Sequence, residues 1–250
     1  ASFLKQGVNM KKSTLLSLII IMGCEDAKQK LVEENQLVFV ASEGNYGRSN
    51  GSITVFRDGE KIQQLENIGD VLQSIVVHND KLIVALNNSH FLKIYEITID
   101  GLLLPGIEIS TDNSSPREMI VLNNKLYFTN WNTKDVKVLN LLTYAIESSI
   151  PFNGLPEDIV TDGTYLYVSI PNLELYDTNK GTHVVKIDTF SEQIIETYEV
   201  GRGPMQLLNN NNQLWISRTY YSEDWTQTIF SSSLINLETN EVITKEYGTG

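Results

Sequence analysis

The feature that most constrains this chain is that it repeats. Five apolar segments recur: "LVFVAS" from Leu37, "LIVALNN" from Leu82, "LYFTNW" from Leu126, "LYVSIP" from Leu166 and "LWISRT" from Leu214. Their first leucines lie 45, 44, 40 and 48 residues apart. Each segment is rich in β-branched and aromatic residues and alternates as a half-buried strand does.

A second β-rich run follows each one: "SITVFR", "FLKIYEI", "DVKVLNL", "HVVKID" and "SLINLET". A third follows that: "KIQQLEN", "GIEIS", "IESSIPF", "IIETYEV" and "EVITKEY". A turn and a fourth run then lead into the next unit, as in "GDVLQSIVVHND", "SSPREMIVLNN", "GLPEDIVTDG" and "GRGPMQLLNNN". Helical periodicity is missing throughout 37–250. Four antiparallel strands in each unit of about 40–45 residues predict an all-β chain built as a β-propeller, one unit per blade. A β-sandwich, the alternative, would not repeat four strands at a near-constant period. Five blades are visible. The first begins at its second strand, so its innermost strand is expected from further along a closed ring, which would remove the open sheet edge. This phase predicts a seven-bladed propeller continuing past Gly250, with 37–250 an incomplete part of it; a five-bladed ring would leave that inner strand missing.

Before the repeat lies a different kind of sequence. "MKKSTLLSLIIIMGC", Met10 to Cys24, has Lys11 and Lys12 ahead of an apolar run too short to span a bilayer. It reads as a secretory signal over 10–23. Ile21-Met22-Gly23-Cys24 resembles the lipobox of bacterial lipoproteins, which implies cleavage before Cys24 and lipidation of its thiol. Cys24 is the only cysteine, so an intrachain disulfide is excluded. Residues 1–9 read as lying upstream of a native start, and 24–36 as the lipidated Cys and a polar tether. These features predict a cell-envelope protein held to the outer membrane by lipid, on its periplasmic or outer surface. Asp and Glu outnumber Lys and Arg by 31 to 19, a net charge of −12. That balance argues against nucleic acid as a partner.

The stretch "LYFTNWNTKDVKVLNLLTYAIESSIPFNGLPEDIVTDGTYLYVS" resembles the YVTN-type propeller repeat. "SEGNYGRSNGSITVF", "GDVLQS", "LNNSHFLKIYE" and "SPREM" are similar to YncE-like, DUF5074-type surface lipoproteins of Bacteroidetes and their relatives. The resemblance covers about 37–250. It implies a seven-bladed, non-catalytic binding propeller; no cofactor is expected. Some relatives capture corrinoids, but no motif in this chain specifies one.

In a blade, the loop between the second and third strands and the turn into the next blade share one face. Loops on a rigid scaffold are the usual carriers of binding. The first, fourth and fifth such loops are long: "SEGNYGRSNGS", "IPNLELYDTNKGT" and "RTYYSEDWTQTIF". The inter-blade turns align Gln73, Glu118, Asp158 and Gln206 at one position, which predicts a ring of acids and amides around the channel mouth. Such a ring offers oxygens to a cation, a polyol or an amine. Glu157 neighbours it, and Arg117 is placed to pair with its acids. From the loops, Asn45, Tyr46, Asn50, Asn88, Trp131, Arg218 and Tyr220 complete the candidate set. Their aromatic rings could stack on a flat or sugar ligand, or pack loop against loop. The expected partner is a small ligand, a glycan or an envelope protein.

Catalytic signatures are weak. His78, His90 and His183 have no zinc-site spacing, and there is no Gly-x-Ser-x-Gly elbow. "YDTNKG", Tyr176 to Gly181, partly resembles a calcium loop but lacks the downstream bidentate acid. No metal is expected. The competing readings are a metal-dependent hydrolase or lyase working from the acidic ring, and a structural surface-layer component.

Overall fold

The computed structural model describes residues 36–250. The signal, the lipidation site Cys24 and nearly all of the tether lie outside the described residues. Twenty strands form five antiparallel sheets, each sheet drawn from consecutive strands. Sheet 1 holds β1 (Leu37–Ser42), β2 (Ser52–Arg57) and β3 (Glu60–Leu65). Sheet 2 holds β4 (Leu72–His78), β5 (Lys81–Leu86), β6 (Phe91–Thr98), β7 (Gly101–Leu102) and β8 (Ile107–Ser110). Sheet 3 holds β9 (Pro116–Leu122), β10 (Lys125–Asn130), β11 (Asp135–Asn140) and β12 (Ile146–Pro151). Sheet 4 holds β13 (Ile159–Thr161), β14 (Tyr165–Ile170), β15 (His183–Asp188) and β16 (Gln193–Glu199). Sheet 5 holds β17 (Pro204–Asn210), β18 (Gln213–Tyr221), β19 (Thr228–Asn236) and β20 (Val242–Thr249).

The inner strands β4, β9, β13 and β17 lie side by side, and β1 meets β4. Five sheets arrayed around their inner strands make the blade arrangement of a β-propeller. Sheet 1 has three strands among the described residues, as the phase of the repeat predicts. Sheet 2 departs from the expected four. Its third strand β6 runs on to pair Ile97 with Leu102 and Thr98 with Gly101, before β8 pairs with its earlier half. The extra hairpin reaches sheet 1, where the Gln63 side-chain oxygen accepts from the Leu102 N–H at 2.7 Å.

Four apolar cores lie between the five sheets. Leu82, Val84 and Leu86 of β5 join Ile53 and Val55 of sheet 1, whereas Ile83 and Ala85 of the same strand join Leu126 and Phe128 of sheet 3. Tyr127, Val136 and Val138 pack with Leu166 and Val168, and Tyr167 packs with Leu214 and Ile216. Each strand thus feeds one interface from odd positions and the other from even ones. This corrects the half-buried expectation for three of the five segments: β5, β10 and β14 are buried on both faces over their last five residues. Of the five segments, β1 and β18 alternate between covered and open positions.

Candidate functional site

The inner strands begin irregularly. The pairing of β4 with β5 slips between Leu72 and Ser74, that of β9 with β10 between Pro116 and Met119, and that of β17 with β18 between Pro204 and Leu207. Gln73, Glu118 and Gln206 sit in these slips, and Asp158 sits just ahead of β13. A bulge swings its side chain out of the sheet's plane-to-plane alternation. The aligned sequence positions therefore become equivalent positions in space.

A hydroxyl on the adjacent strand fixes three of the four positions. The Glu118 N–H donates to Thr129 Oγ1 at 3.0 Å, the Asp158 N–H to Ser169 Oγ at 3.1 Å, and the Gln206 N–H to Ser217 Oγ at 3.1 Å. The same hydroxyls tie neighbouring sheets. Thr129 donates to the Glu157 carbonyl at 2.7 Å, and Ser169 to the Met205 carbonyl at 2.7 Å. In sheet 2 the matching residue is Ala85, and there Ser74 Oγ donates to the Arg117 carbonyl instead.

Glu118, Asp158 and Gln206 open onto a cavity of about 590 Å³ that is also lined by Glu157, Ser217 and Ser232, with Leu208 and Trp215 beside it on the open face of sheet 5. Its three carboxylates differ in character. Glu157 is buried, 7% exposed, and Arg117 grips it with two parallel bonds of 3.0 and 2.5 Å. The same guanidinium lies 4.1 Å above the Trp131 ring and donates to the Gln73 side-chain oxygen at 2.9 Å. Asp158 accepts the N–H groups of Ile159 at 2.8 Å and Leu207 at 2.7 Å, and burial still pushes its carboxyl up. Glu118 has no cation of its own. Burial, then the charges of Asp158 and Glu157, push its carboxyl up to about 7, against the smaller favourable effects of Gln73 and Arg117.

The other candidate residues serve elsewhere. The long first loop, 43–51, is folded onto Asp70, which sequence reasoning missed. The Gly47 N–H donates to both Asp70 carboxylate oxygens, at 3.0 and 2.9 Å, and Asn88 Nδ2 donates to one of them at 2.6 Å. These bonds hold Asp70 below the usual carboxylate range, the Asn88 bond contributing most. The Asn50 side-chain oxygen accepts the Asn45 N–H at 2.7 Å. Gly44 is obligatory there: its φ is +81°, and a Cβ would stand 2.6 Å from that oxygen. Asn45, Asn50 and Asn88 are therefore engaged in building the loop, while Tyr46 at its tip is 79% exposed.

Arg218 is buried and donates to the Arg202 carbonyl at 3.3 Å, and Tyr220 carries Arg202 over its ring at 4.7 Å while its hydroxyl donates to Glu246. Trp131, Tyr176 and Trp225 line a second cavity of about 180 Å³ on the loop face. The calcium-like Asp177 accepts N–H groups from Leu173, Glu174 and Lys180, as a turn carboxylate does. Among the described residues, no group of three His, Cys, Asp or Glu side chains is arranged to hold a metal ion. Of the thirteen candidates, the cavity gathers Glu118, Glu157, Asp158 and Gln206, with Arg117 and Gln73 behind them. It adds Leu208, Trp215, Ser217 and Ser232, which no motif marked; the repeat alone could have found Ser217, as the counterpart of Thr129 and Ser169.

No family model matches the sequence, and no curated protein is significantly similar to it. Solved structures are. A Bacteroides fragilis protein provisionally assigned as a 6-phosphogluconolactonase superposes with a TM-score of 0.63 at 13% identity, over 87% of this chain and 68% of its own. A Bacteroides caccae protein of unknown function gives 0.55 at 15%, over 80% and 76%. Kuenenia stuttgartiensis hydrazine synthase gives 0.56 at 15%, over 68% of this chain, which spans under half, 46%, of that one. At such identities the likeness is one of architecture, and what it establishes is the β-propeller-like fold.

Proposed function

We propose that this chain is a non-catalytic binding protein of the cell envelope whose inner cavity takes a small organic cation. The observation that carries the reading is the meeting of the half-buried carboxylates of Glu118 and Asp158 in one cavity, beside a Glu157 already held by Arg117. Arg117 already neutralises Glu157, so the negative charge left over belongs to Glu118 and Asp158. An ammonium group between them would stabilise the ionised form of Glu118. A sugar or neutral polyol would leave the excess charge uncompensated. The envelope location rests on the signal and lipobox of residues 10–24 and on the resemblance to YVTN-type and YncE-like lipoproteins.

Titration calorimetry with primary alkylamines, diamines and neutral polyols at pH 6 and pH 8 tests this reading. Amines are expected to bind more tightly at pH 8, where Glu118 is ionised, and Glu118→Gln is expected to weaken them about tenfold or more. Heat from polyols alone, or amine binding indifferent to Glu118→Gln, would overturn it.

A further inference from the structure

The end of the molecule opposite the loop face carries exposed apolar side chains at its hairpin tips. There the hairpin between the third and fourth strands of each sheet turns. In sheets 2, 3 and 4, three successive blades, these tips present large apolar residues to solvent: Ile99 at 68% exposure, Leu142 at 77% and Phe190 at 97%. Leu103 and Leu104, also exposed, line a groove with Lys81 and with Tyr144 of the next sheet. The Lys125–Glu192 pair, at 2.6 Å, ties the same ends of sheets 3 and 4. The tips thus form one rim on one face. Single exposed apolar residues are ordinary, but a row of them on successive repeats marks a contact surface.

The chain joins the fold at this same end. Leu37 pairs with Arg57, beside the Asp58–Gly59 hairpin, whereas loop 43–51 lies at the far end, on Asp70. Residues 25–36 can reach roughly 40 Å at most. A lipid on Cys24 would therefore hold the propeller near the bilayer by the end that bears the apolar tips.

We propose that this rim rests on the membrane, Leu142 and Phe190 entering the interfacial layer, so that the acidic cavity's loop face is turned away from it. The inference rests on the reading of Cys24 as lipidated. Asp80 and Asp100 stand beside the tips, which fits a zwitterionic lipid surface rather than an anionic one.

The test uses the full chain, processed in a Gram-negative host and reconstituted in phosphatidylethanolamine–phosphatidylcholine vesicles. Thiol fluorophores are placed by Phe190→Cys, Leu142→Cys or Tyr46→Cys, exposed sites whose replacement leaves the cores intact. Nitroxide-bearing lipids are expected to quench labels at 190 and 142 and to spare the label at 46. Equal quenching at all three, quenching at 46 alone, or no vesicle association would overturn the proposal. So would a dimer cross-linked through the 190 labels, which would assign the rim to a second copy. The mass of the purified chain reports separately whether Cys24 is acylated, so a failed anchor is told apart from a failed orientation.

Discussion

Glu118 and Asp70 titrate in opposite directions, and each leaves its own mark on stability. Glu118 has its carboxyl raised in the folded state, to about 7. Between an unfolded value of about 4.3 and that folded value, the unfolded chain gives up this proton more readily. Stability should therefore fall as pH rises through that window, and Glu118→Gln should flatten the slope in thermal melts followed by circular dichroism. Asp70 has its carboxyl lowered. Its contribution is present above about pH 4 and is lost as pH falls through the lowered value. Asp70→Ala should release loop 43–51, costing about 1–3 kcal/mol in urea unfolding and exposing Arg48 to trypsin at neutral pH. Unchanged cleavage at Arg48 would mean that the loop holds itself. At this scale the sequence was legible where the repeat supplied the equivalence: Gln73, Glu118, Asp158 and Gln206 align in the chain and again in space. Asp70 escaped notice because its role is to accept N–H groups from a loop about 23 residues earlier, a relation with no local pattern.

The elements explain why half-burial was the wrong expectation for the central strands. Alternation such as Leu-Ile-Val-Ala-Leu carries no polar residue, and a run without one fits a strand covered on both sides. Ile194 and Ile195 of β16 are just as apolar yet exposed, so residue type cannot show which strands are covered on both sides. The hydroxyls Thr129 and Ser169 were in plain view as polar members of apolar runs, but their meaning depends on the next sheet. Each accepts one N–H within its sheet and donates to a carbonyl of its neighbour. Thr129→Val keeps the shape and removes both bonds, leaving buried backbone groups unpaired. The expected loss is about 1–3 kcal/mol in denaturant unfolding, against a small effect for Ala85→Ser in the sheet that lacks this hydroxyl. Equal effects at the two positions would show that the link is dispensable.

For the molecule as a whole, the four apolar cores make each sheet answer to its immediate neighbours, as in other repeat architectures. Amide hydrogen exchange should accordingly be slowest in β5, β10 and β14, which serve two cores, and faster in the outer strands β3, β12 and β16; uniform protection would contradict this. The hydroxyl links add a second consequence. The backbone amide that anchors Thr129 or Ser169 is the one from which Glu118 or Asp158 hangs, and the same hydroxyl reaches across to the following sheet. The mouth of the cavity is thus an iris, its aperture set by how closely successive blades are drawn together. A guest held by carboxylates from two blades would clamp the leaves of that iris, and the stiffening would travel outward through every blade they belong to.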